Sequence, residues 1–297
     1  MLRIAIPKGS LEEGTFRLFE QANLQIRRKD SRDYNLVIRD PRISEAIMLR
    51  PQEIASYISE GEFDLGITGK DWIVETESAV KEVADLKFSR GGLGNVRIVL
   101  ATDNSNPVND VSGILPNARV VTEYPKITRR YFRGLGKGKI RLRMSYGATE
   151  VKVPRLADYL IDVTETGTTL IANGKKILDV ILESSTLLIA NMEAWDDSEK
   201  RQAIEEISEL LLGVVRARDK VLIKMNVPEA RLNALLLYLP ALRSPTLSQL
   251  YSADDGQEKW FMVETIVEKS KLNILIPEIK KMGATDILEV DVSKVIP

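Results

Sequence analysis

Short apolar segments alternate with amphipathic ones through the first part of the chain. Residues 2–7 (LRIAIP) are almost entirely apolar, as in a buried strand, and residues 11–24 carry apolar positions typical of a helix. The next predicted elements are a strand at 35–40, a helix at 50–61 and a strand running into a turn at 63–69. This order predicts an α/β fold.

The same alternation continues after a glycine-rich stretch at 91–94, which we interpret as a hinge into a second lobe. The pattern there predicts strands at 96–102, 118–125, 139–145 and 158–163, a short helix capped by Thr128, and a helix at 151–158. The β-rich run 176–190 is expected to return to the first lobe. The predicted lobes are residues 1–94 with 187–217, and residues 95–186.

A long amphipathic helix is predicted from about Ser198 to Arg218, with Ile204, Ile207, Leu211 and Val214 on one face. The remaining residues, 218–297, then follow the order strand, helix, strand, strand, helix, strand. This βαββαβ order is the ferredoxin-like pattern. It predicts a separate domain with a regulatory or assembly role.

Composition excludes several kinds of catalytic site and says less about the fold. The 297 residues predict two or three domains, and 42 basic against 43 acidic residues give no overall field that would attract nucleic acid or a membrane. There is no cysteine and no histidine, which excludes disulfides, thiolate catalysis and Ser-His nucleophiles. With no signal-like apolar stretch at the start, we expect a cytoplasmic protein.

The loop after the predicted strand at 158–163 carries the most chemistry. Residues 162–169 (DVTETGTT) place four hydroxyls, several backbone N–H groups and a glycine between a strand and a helix. Such a loop suits a monophosphate, and Asp162 and Glu165 suit ribose hydroxyls or a Mg²⁺ ion. Threonines and glycines also make ordinary caps and turns, so both interpretations stand.

Three other features have a functional and a structural interpretation. Lys8 beside Gly9 is a candidate anion contact or a surface lysine, and Ser10 with Glu13 fits a capping box for the first helix. Asp71 is a candidate ligand or a helix cap. The basic run 126–143 suits nucleic acid or a solvated surface, and we favour the solvated surface.

Six ordered segments resemble the ATP phosphoribosyltransferase family over nearly the whole chain. They are IAIPKGSL at 4–11, FDLGITGKDW at 63–72, VVTEYPKIT at 120–128, ATEVKVP at 148–154, DYLIDVTETGTTL at 158–170 and LRSPT at 242–246. The resemblance implies a two-lobed catalytic unit like type II periplasmic binding proteins, with the active site between the lobes. The separate domain at 218–297, which follows the two lobes and is the third domain, implies the long form of the family.

The resemblance also implies an activity: ATP condenses through adenine N1 with 5-phosphoribosyl 1-pyrophosphate (PRPP) as the first step of L-histidine biosynthesis. It assigns the phosphoribosyl site to Glu150, Asp162, Thr164, Glu165, Thr166, Gly167, Thr168 and Thr169. It assigns the ATP and pyrophosphate site to Lys8, Gly9, Gly69 and Asp71. Mg²⁺ would arrive on the substrate phosphates, without identified protein ligands, and many members have Arg where this chain has Ser10.

For the third domain the resemblance implies feedback inhibition by L-histidine, coupled to a change from dimer to hexamer. The implied histidine contacts are Asn226, Leu242, Ser244, Thr246 and Ala284, with an acid frequent where Asn226 stands. A domain that serves only dimerisation or packing would fit the same residues.

Two further hypotheses compete with the enzyme. The fold also suits a cytoplasmic two-lobed sensor of small molecules without catalytic activity, and an inactive regulatory paralogue is a third possibility. The hydroxyl-rich loop and the absence of a signal peptide argue against the sensor.

Overall fold

A computed structural model describes residues 1–28, 30, 33–88, 94–240, 244–251 and 258–297. The predicted hinge at 91–94 therefore lies mostly outside the described residues. The chain divides into two compact units, Met1–Leu211 and Leu212–Pro297.

In its described part, the first unit contains strands and helices in mixed order. The strands are β1 (Leu2–Pro7), β2 (Ile26–Arg28), β3 (Asn35–Ile38), β4 (Ile43–Leu49), β5 (Leu65–Gly69), β6 (Lys81–Asp85), β7 (Asn95–Asp103), β8 (Arg119–Thr122), β9 (Arg141–Met144), β10 (Tyr159–Thr164) and β11 (Lys175–Ala190). The helices are α1 (Glu12–Gln21), α2 (Pro51–Ser59), α3 (Lys70–Thr76), α4 (Pro125–Gly134), α5 (Thr168–Ala172), α6 (Met192–Asp196) and α7 (Ser198–Ala217), whose last residues belong to the second unit.

Among the described residues, the strands of the first unit form one sheet in the order β2-β3-β4-β1-β5-β11-β7-β10-β8-β9, and β6 also pairs with β11. We call β1–β6 with α1–α3 lobe I, and β7–β10 with α4 and α5 lobe II. In lobe I, β1 runs parallel to β4 and β5, and in lobe II, β8 runs parallel to β9 and β10. Parallel strands place their carboxyl ends at one edge of each lobe, where ligands bind in α/β folds.

Strand β11 joins the two lobes. Its first part, Lys175–Ser185, pairs with β7, and its last part, Thr186–Ala190, pairs with β5, both antiparallel. The partner changes between Ser185 and Thr186, so adjacent residues of one strand reach both halves of the sheet.

Each lobe buries its own apolar core. In lobe I, Ile54 and Ile58 of α2 lie four residues apart and pack with Ala5 and Ile189. In lobe II, apolar side chains of three strands pack against those of α4: Ile98, Leu100, Val120, Ile161, Ile127 and Phe132.

The predicted stripe of α7 is confirmed, since Ile204, Ile207, Leu211 and Val214 are all buried.

Three local predictions were wrong. Helix α1 begins at Glu12, and Gly9 donates its N–H to the Glu12 carboxylate, so Ser10 and Glu13 form no capping box. Thr128 lies inside α4 and donates its hydroxyl to the Tyr124 carbonyl, one turn back.

The third wrong prediction is the helix at 151–158. It is one turn of 3₁₀ helix, Glu150–Lys152. Pro154 carries no N–H with which to continue a helix, so the chain turns there instead.

The second unit has the predicted ferredoxin-like fold. Its elements are β12 (Lys220–Pro228), α8 (Glu229–Tyr238), β13 (Thr246–Gln249), β14 (Trp260–Glu268), α9 (Leu272–Lys281) and β15 (Thr285–Asp291), and its antiparallel sheet has the order β13-β14-β12-β15. Val221, Ile223, Met225 and Val227 alternate along β12 and are buried with residues of both helices.

None of the helices in the described part of the chain has the length and apolar character needed to cross a bilayer.

Candidate active site

The first unit contains a cleft of about 1020 Å³ lined by residues from both lobes. Lobe I contributes the residues after β1, β4 and β5, and lobe II contributes those after β8 and β10. Eleven of the twelve predicted substrate-site residues line it: Lys8, Gly9, Gly69, Asp71, Glu150, Asp162, Thr164, Glu165, Thr166, Thr168 and Thr169. The twelfth, Gly167, is buried within the loop that these threonines form.

The loop from β10 to α5 presents hydroxyls to the cleft. Gly167 has φ of 84° and donates its N–H to the Thr164 hydroxyl at 2.9 Å, which closes a tight turn that favours glycine. Thr166 and Thr168 share a hydroxyl hydrogen bond of 2.7 Å, and Thr168 and Thr169 are exposed. The Thr164 and Thr166 hydroxyls each accept a backbone N–H of the loop, so the loop is held in place with its exposed threonines along the cleft.

Asp162, at the end of β10, has an unusual electrostatic environment. Burial raises the pKa of its carboxyl group to about 6, and the negative charges of Glu123 and Glu150 act in the same direction. Hydrogen bonds from the Val163 N–H and the Thr149 hydroxyl lower this pKa. The lobe II wall therefore carries several acidic side chains, which favour the binding of hydroxyl groups or of a cation.

Lobe I faces this wall with a cation. Lys8 follows β1, and its Nζ donates to the Tyr34 hydroxyl at 2.8 Å and lies 4.4 Å from the centroid of the same ring. This contact lowers the pKa of the Tyr34 hydroxyl. Ser10, Arg50 and Gln52 lie along the same side of the cleft.

Asp71 is buried at the base of the cleft, with 5% of its surface exposed. Its carboxylate accepts hydrogen bonds from the Tyr124 hydroxyl at 2.9 Å and the Ser184 hydroxyl at 2.6 Å. The interpretation of Asp71 as a helix cap was wrong, because α3 begins after Gly69 without a side-chain cap. Burial raises the pKa of the Asp71 carboxyl group, and the two hydroxyl donors oppose this.

Gly69 allows this arrangement. A Cβ atom added at Gly69 would lie 2.1 Å from Oδ1 of Asp71, so the carboxylate folds into space that only glycine leaves. The rings of Trp72 and Tyr124 stack with centroids 4.6 Å apart, which brings α3 of lobe I against the end of β8 in lobe II.

Several residues of the cleft were not predicted as site residues, among them Arg50, Glu123, Tyr124 and Ser184. Glu123 and Tyr124 follow the carboxyl end of β8, and the rule that pointed to residues 162–169 would also have found them. Ser184 lies in the interior of β11 and contacts Asp71 across 113 residues of sequence. No local pattern marks it.

The predicted histidine-site residues lie in the second unit. Asn226 pairs with Thr285, next to the buried Ala284, and donates its side-chain amide to Asp286 at 2.9 Å. Thr246 lies in β13, on the other side of β14, roughly 10 Å away across the sheet. Ser244 is exposed just before β13, and Leu242 lies outside the described residues. Within one chain these residues form two groups.

Sequence comparison relates both units to known families. The profile described as ATP phosphoribosyltransferase matches residues 50–213, and the profile described as HisG, C-terminal domain matches residues 217–294. ATP phosphoribosyltransferases of Pelotomaculum thermopropionicum and Desulforudis audaxviator are 44% and 45% identical to this chain over 296 residues. These alignments cover 100% of this chain and 99% of each relative.

A solved structure extends the similarity to three dimensions. It is described as the ATP phosphoribosyl transferase (HisG:HisZ) complex from Thermotoga maritima, and one of its chains matches with a TM-score of 0.61 at 28% identity. The match covers 73% of this chain and 98% of that chain.

Proposed function

The chain belongs to the ATP phosphoribosyltransferase family, and on this premise we propose that its inter-lobe cleft binds ATP and PRPP against opposite walls. The enzyme is a pentosyltransferase that forms N1-(5-phosphoribosyl)-ATP and pyrophosphate, the first step of L-histidine biosynthesis. The observation that carries the proposal is the placement of a hydroxyl-rich loop and Lys8 in one cleft.

The lobe II wall binds the phosphoribosyl group. The hydroxyls and backbone N–H groups of residues 164–169 hold the 5-phosphate, as in other loops that cradle phosphate. Asp162 and Glu150 accept hydrogen bonds from the ribose hydroxyls. This assignment is supported by the exposed threonine hydroxyls and by the clustered carboxylates beside them.

The lobe I wall binds the pyrophosphate and ATP. Lys8 supplies a positive charge to the phosphates, and Gly9 and the turn from Gly69 to Asp71 bring backbone close to them. Because the Asp71 carboxylate is already bound by Tyr124 and Ser184, its part is to hold the Tyr124 ring in place at the cleft.

The reaction needs little proton transfer from the protein. Adenine N1 is unprotonated at neutral pH and attacks ribose C1, while the bond from C1 to the pyrophosphate oxygen breaks with its electron pair. Positioning of the two substrates and stabilisation of charge on the leaving group supply the acceleration. This agrees with a chain that lacks histidine and cysteine.

Magnesium fits this cleft as a partner of the substrate phosphates. Across the described ranges, no three acidic side chains lie close enough to hold a metal by themselves. Mg²⁺ prefers oxygen ligands and is often bound through phosphates with few protein ligands. Glu165, which also lines the cleft, carries a carboxylate of the kind that Mg²⁺ takes as a ligand. When bound, the ion neutralises charge on the pyrophosphate.

We further propose that the ferredoxin-like unit binds L-histidine as a feedback inhibitor, and that the cytoplasmic enzyme changes from dimer to hexamer. The match of residues 217–294 to the C-terminal domain profile supports this role. Asn226 and Ala284 form one part of the proposed site, and Ser244 and Thr246 form the other.

The catalytic assignment is tested by the absorbance of phosphoribosyl-ATP. Purified protein is mixed with ATP, PRPP, Mg²⁺ and pyrophosphatase, and each substrate is omitted in turn as a control. We expect product only in the complete mixture. If folded protein forms no product in any mixture, the proposal is wrong and the sensor hypothesis becomes the better one.

A further inference from the structure

Lys152 lies behind the lobe II wall of the cleft and forms two hydrogen bonds to the segment that builds this wall. Its Nζ donates to the Ser145 hydroxyl and, at 3.0 Å, to the Gly147 carbonyl. Both acceptors belong to the segment that leads from β9 to the short 3₁₀ turn at Glu150. Lys152 does not line the cleft, but Gly147, Ala148 and Glu150 do.

Two buried hydroxyl groups extend from Lys152 toward Asp162. The Ser145 and Thr149 hydroxyls lie 2.9 Å apart, both with 1% of their surface exposed, and the Thr149 hydroxyl lowers the pKa of the Asp162 carboxyl group. An ammonium group only donates, so Lys152 is the donor to the Ser145 hydroxyl. The Ser145 hydroxyl in turn lies within hydrogen-bond distance of the Thr149 hydroxyl and, at 3.4 Å, of the Gly147 carbonyl.

The backbone between these residues has a conformation that needs support. Gly147 has φ of 97° and Ala148 has φ of 48°, in the left-handed region that residues with a Cβ rarely adopt. The Lys152 ammonium binds the carbonyl of this turn directly. Loss of that contact would release a turn that forms part of the wall.

We propose that Lys152 is a positioning residue for phosphoribosyl transfer. It fixes the wall from Gly147 to Glu150 and orients Asp162 through Ser145 and Thr149. This inference rests on the proposed assignment of Asp162 and Glu150 to the ribose of PRPP. Lys152 contacts neither substrate, so it acts on affinity for PRPP through the residues that it holds.

The test compares Lys152→Met with Lys139→Met. Methionine keeps the length of the side chain and removes its donors, and Lys139 is an exposed lysine of the same lobe, so both variants lose one positive charge. For Lys152→Met we expect the KM and the calorimetric Kd for PRPP to rise about tenfold to a hundredfold, the range for loss of a charge-assisted hydrogen bond. The KM for ATP and kcat should change less than about threefold, and Lys139→Met should match the wild type.

Two variants of the hydroxyl chain complete the experiment. Ser145→Ala and Thr149→Val should each weaken PRPP binding, and Lys152→Met combined with Ser145→Ala should cost no more than the larger single effect. A folded Lys152→Met that binds PRPP like the wild type overturns the inference. So do additive effects, or equal losses for both substrates. If Lys152→Met does not fold, wild-type PRPP affinity in Ser145→Ala and Thr149→Val overturns it instead.

Because calorimetry measures PRPP binding without turnover, an inactive wild type would refute the proposed reaction separately from this inference.

Discussion

At the scale of single residues, the site depends on the buried Asp71 carboxylate, which is hydrogen-bonded to other side chains of the protein. Asp71, Tyr124 and Ser184 come from three distant parts of the chain and meet at the base of the cleft. Each hydroxyl donates to the carboxylate, so neither the charge nor the hydroxyls are buried without a partner. The result is a fixed position for the Tyr124 ring.

Gly69→Ala tests this arrangement. The new methyl group would lie 2.1 Å from the Asp71 carboxylate, so either the carboxylate or the backbone must move. We expect a loss of about 1–3 kcal/mol in the free energy of unfolding and a fall of about tenfold or more in kcat/KM, measured by denaturant unfolding and by the product assay.

Gly134→Ala is the matched control. Gly134 ends α4, and a Cβ atom there meets nothing within 4 Å. Wild-type activity and stability are expected for this variant. Equal behaviour of the two alanine variants would contradict the importance of the Asp71 position.

At the scale of elements, α3 of lobe I caps α4 of lobe II. The Glu75 carboxylate accepts hydrogen bonds from the Lys126 N–H and the Ile127 N–H, both at 2.9 Å. These N–H groups belong to the first turn of α4, where no carbonyl of the helix itself can accept them. Burial raises the pKa of the Glu75 carboxyl group, and the two N–H donors act against that shift. One lobe therefore completes a helix of the other.

Glu75→Gln should weaken this contact between the lobes. An amide has one acceptor oxygen and no charge to interact with the helix dipole, so we expect a loss of about 1–2 kcal/mol in the free energy of unfolding. Glu77→Gln, two residues away, removes an exposed carboxylate that pairs with Lys126 and Arg130, and should have a clearly smaller effect. Urea unfolding of the three proteins decides this, and equal stability of both variants would contradict the cap.

At the scale of the whole molecule, a catalytic unit and a ferredoxin-like unit occur in one chain. Regulation by histidine requires the ligand to bind one state or assembly more tightly than another. The proposed contacts form two groups within the chain, with β14 between Asn226 of β12 and Thr246 of β13.

The proposed regulation makes a direct prediction. Saturating L-histidine should suppress product formation and shift sedimentation toward the larger assembly. Ser244→Ala should raise the histidine concentration for half inhibition roughly tenfold, by loss of a hydrogen bond. Ser248→Ala, an exposed serine of β13 outside the proposed site, should not. Unchanged activity and sedimentation in saturating histidine would refute the regulatory role.

Features that depend on local pattern were predictable from the sequence. Alternating apolar residues specified β12, the spacing of Ile204, Ile207, Leu211 and Val214 specified the buried face of α7, and the βαββαβ order specified the second fold. The hydroxyls of residues 164–169 marked the candidate phosphate loop because their chemistry is contiguous. Strands β4 and β6 were not predicted, because polar residues interrupt the apolar pattern by which a strand is recognised.

Contacts between groups that are distant in the sequence were not predictable in this way and follow from packing in three dimensions. Three examples are the contact of Ser184 with Asp71, the cap of α4 by Glu75 and the path from Lys152 to Thr149. Each depends on side chains that come together only when the chain is folded. Secondary structure follows from the periodicity of neighbouring residues, whereas a buried polar group needs a partner that can come from anywhere in the chain. Sequence pattern therefore located the walls of the cleft, and packing determined how they are held.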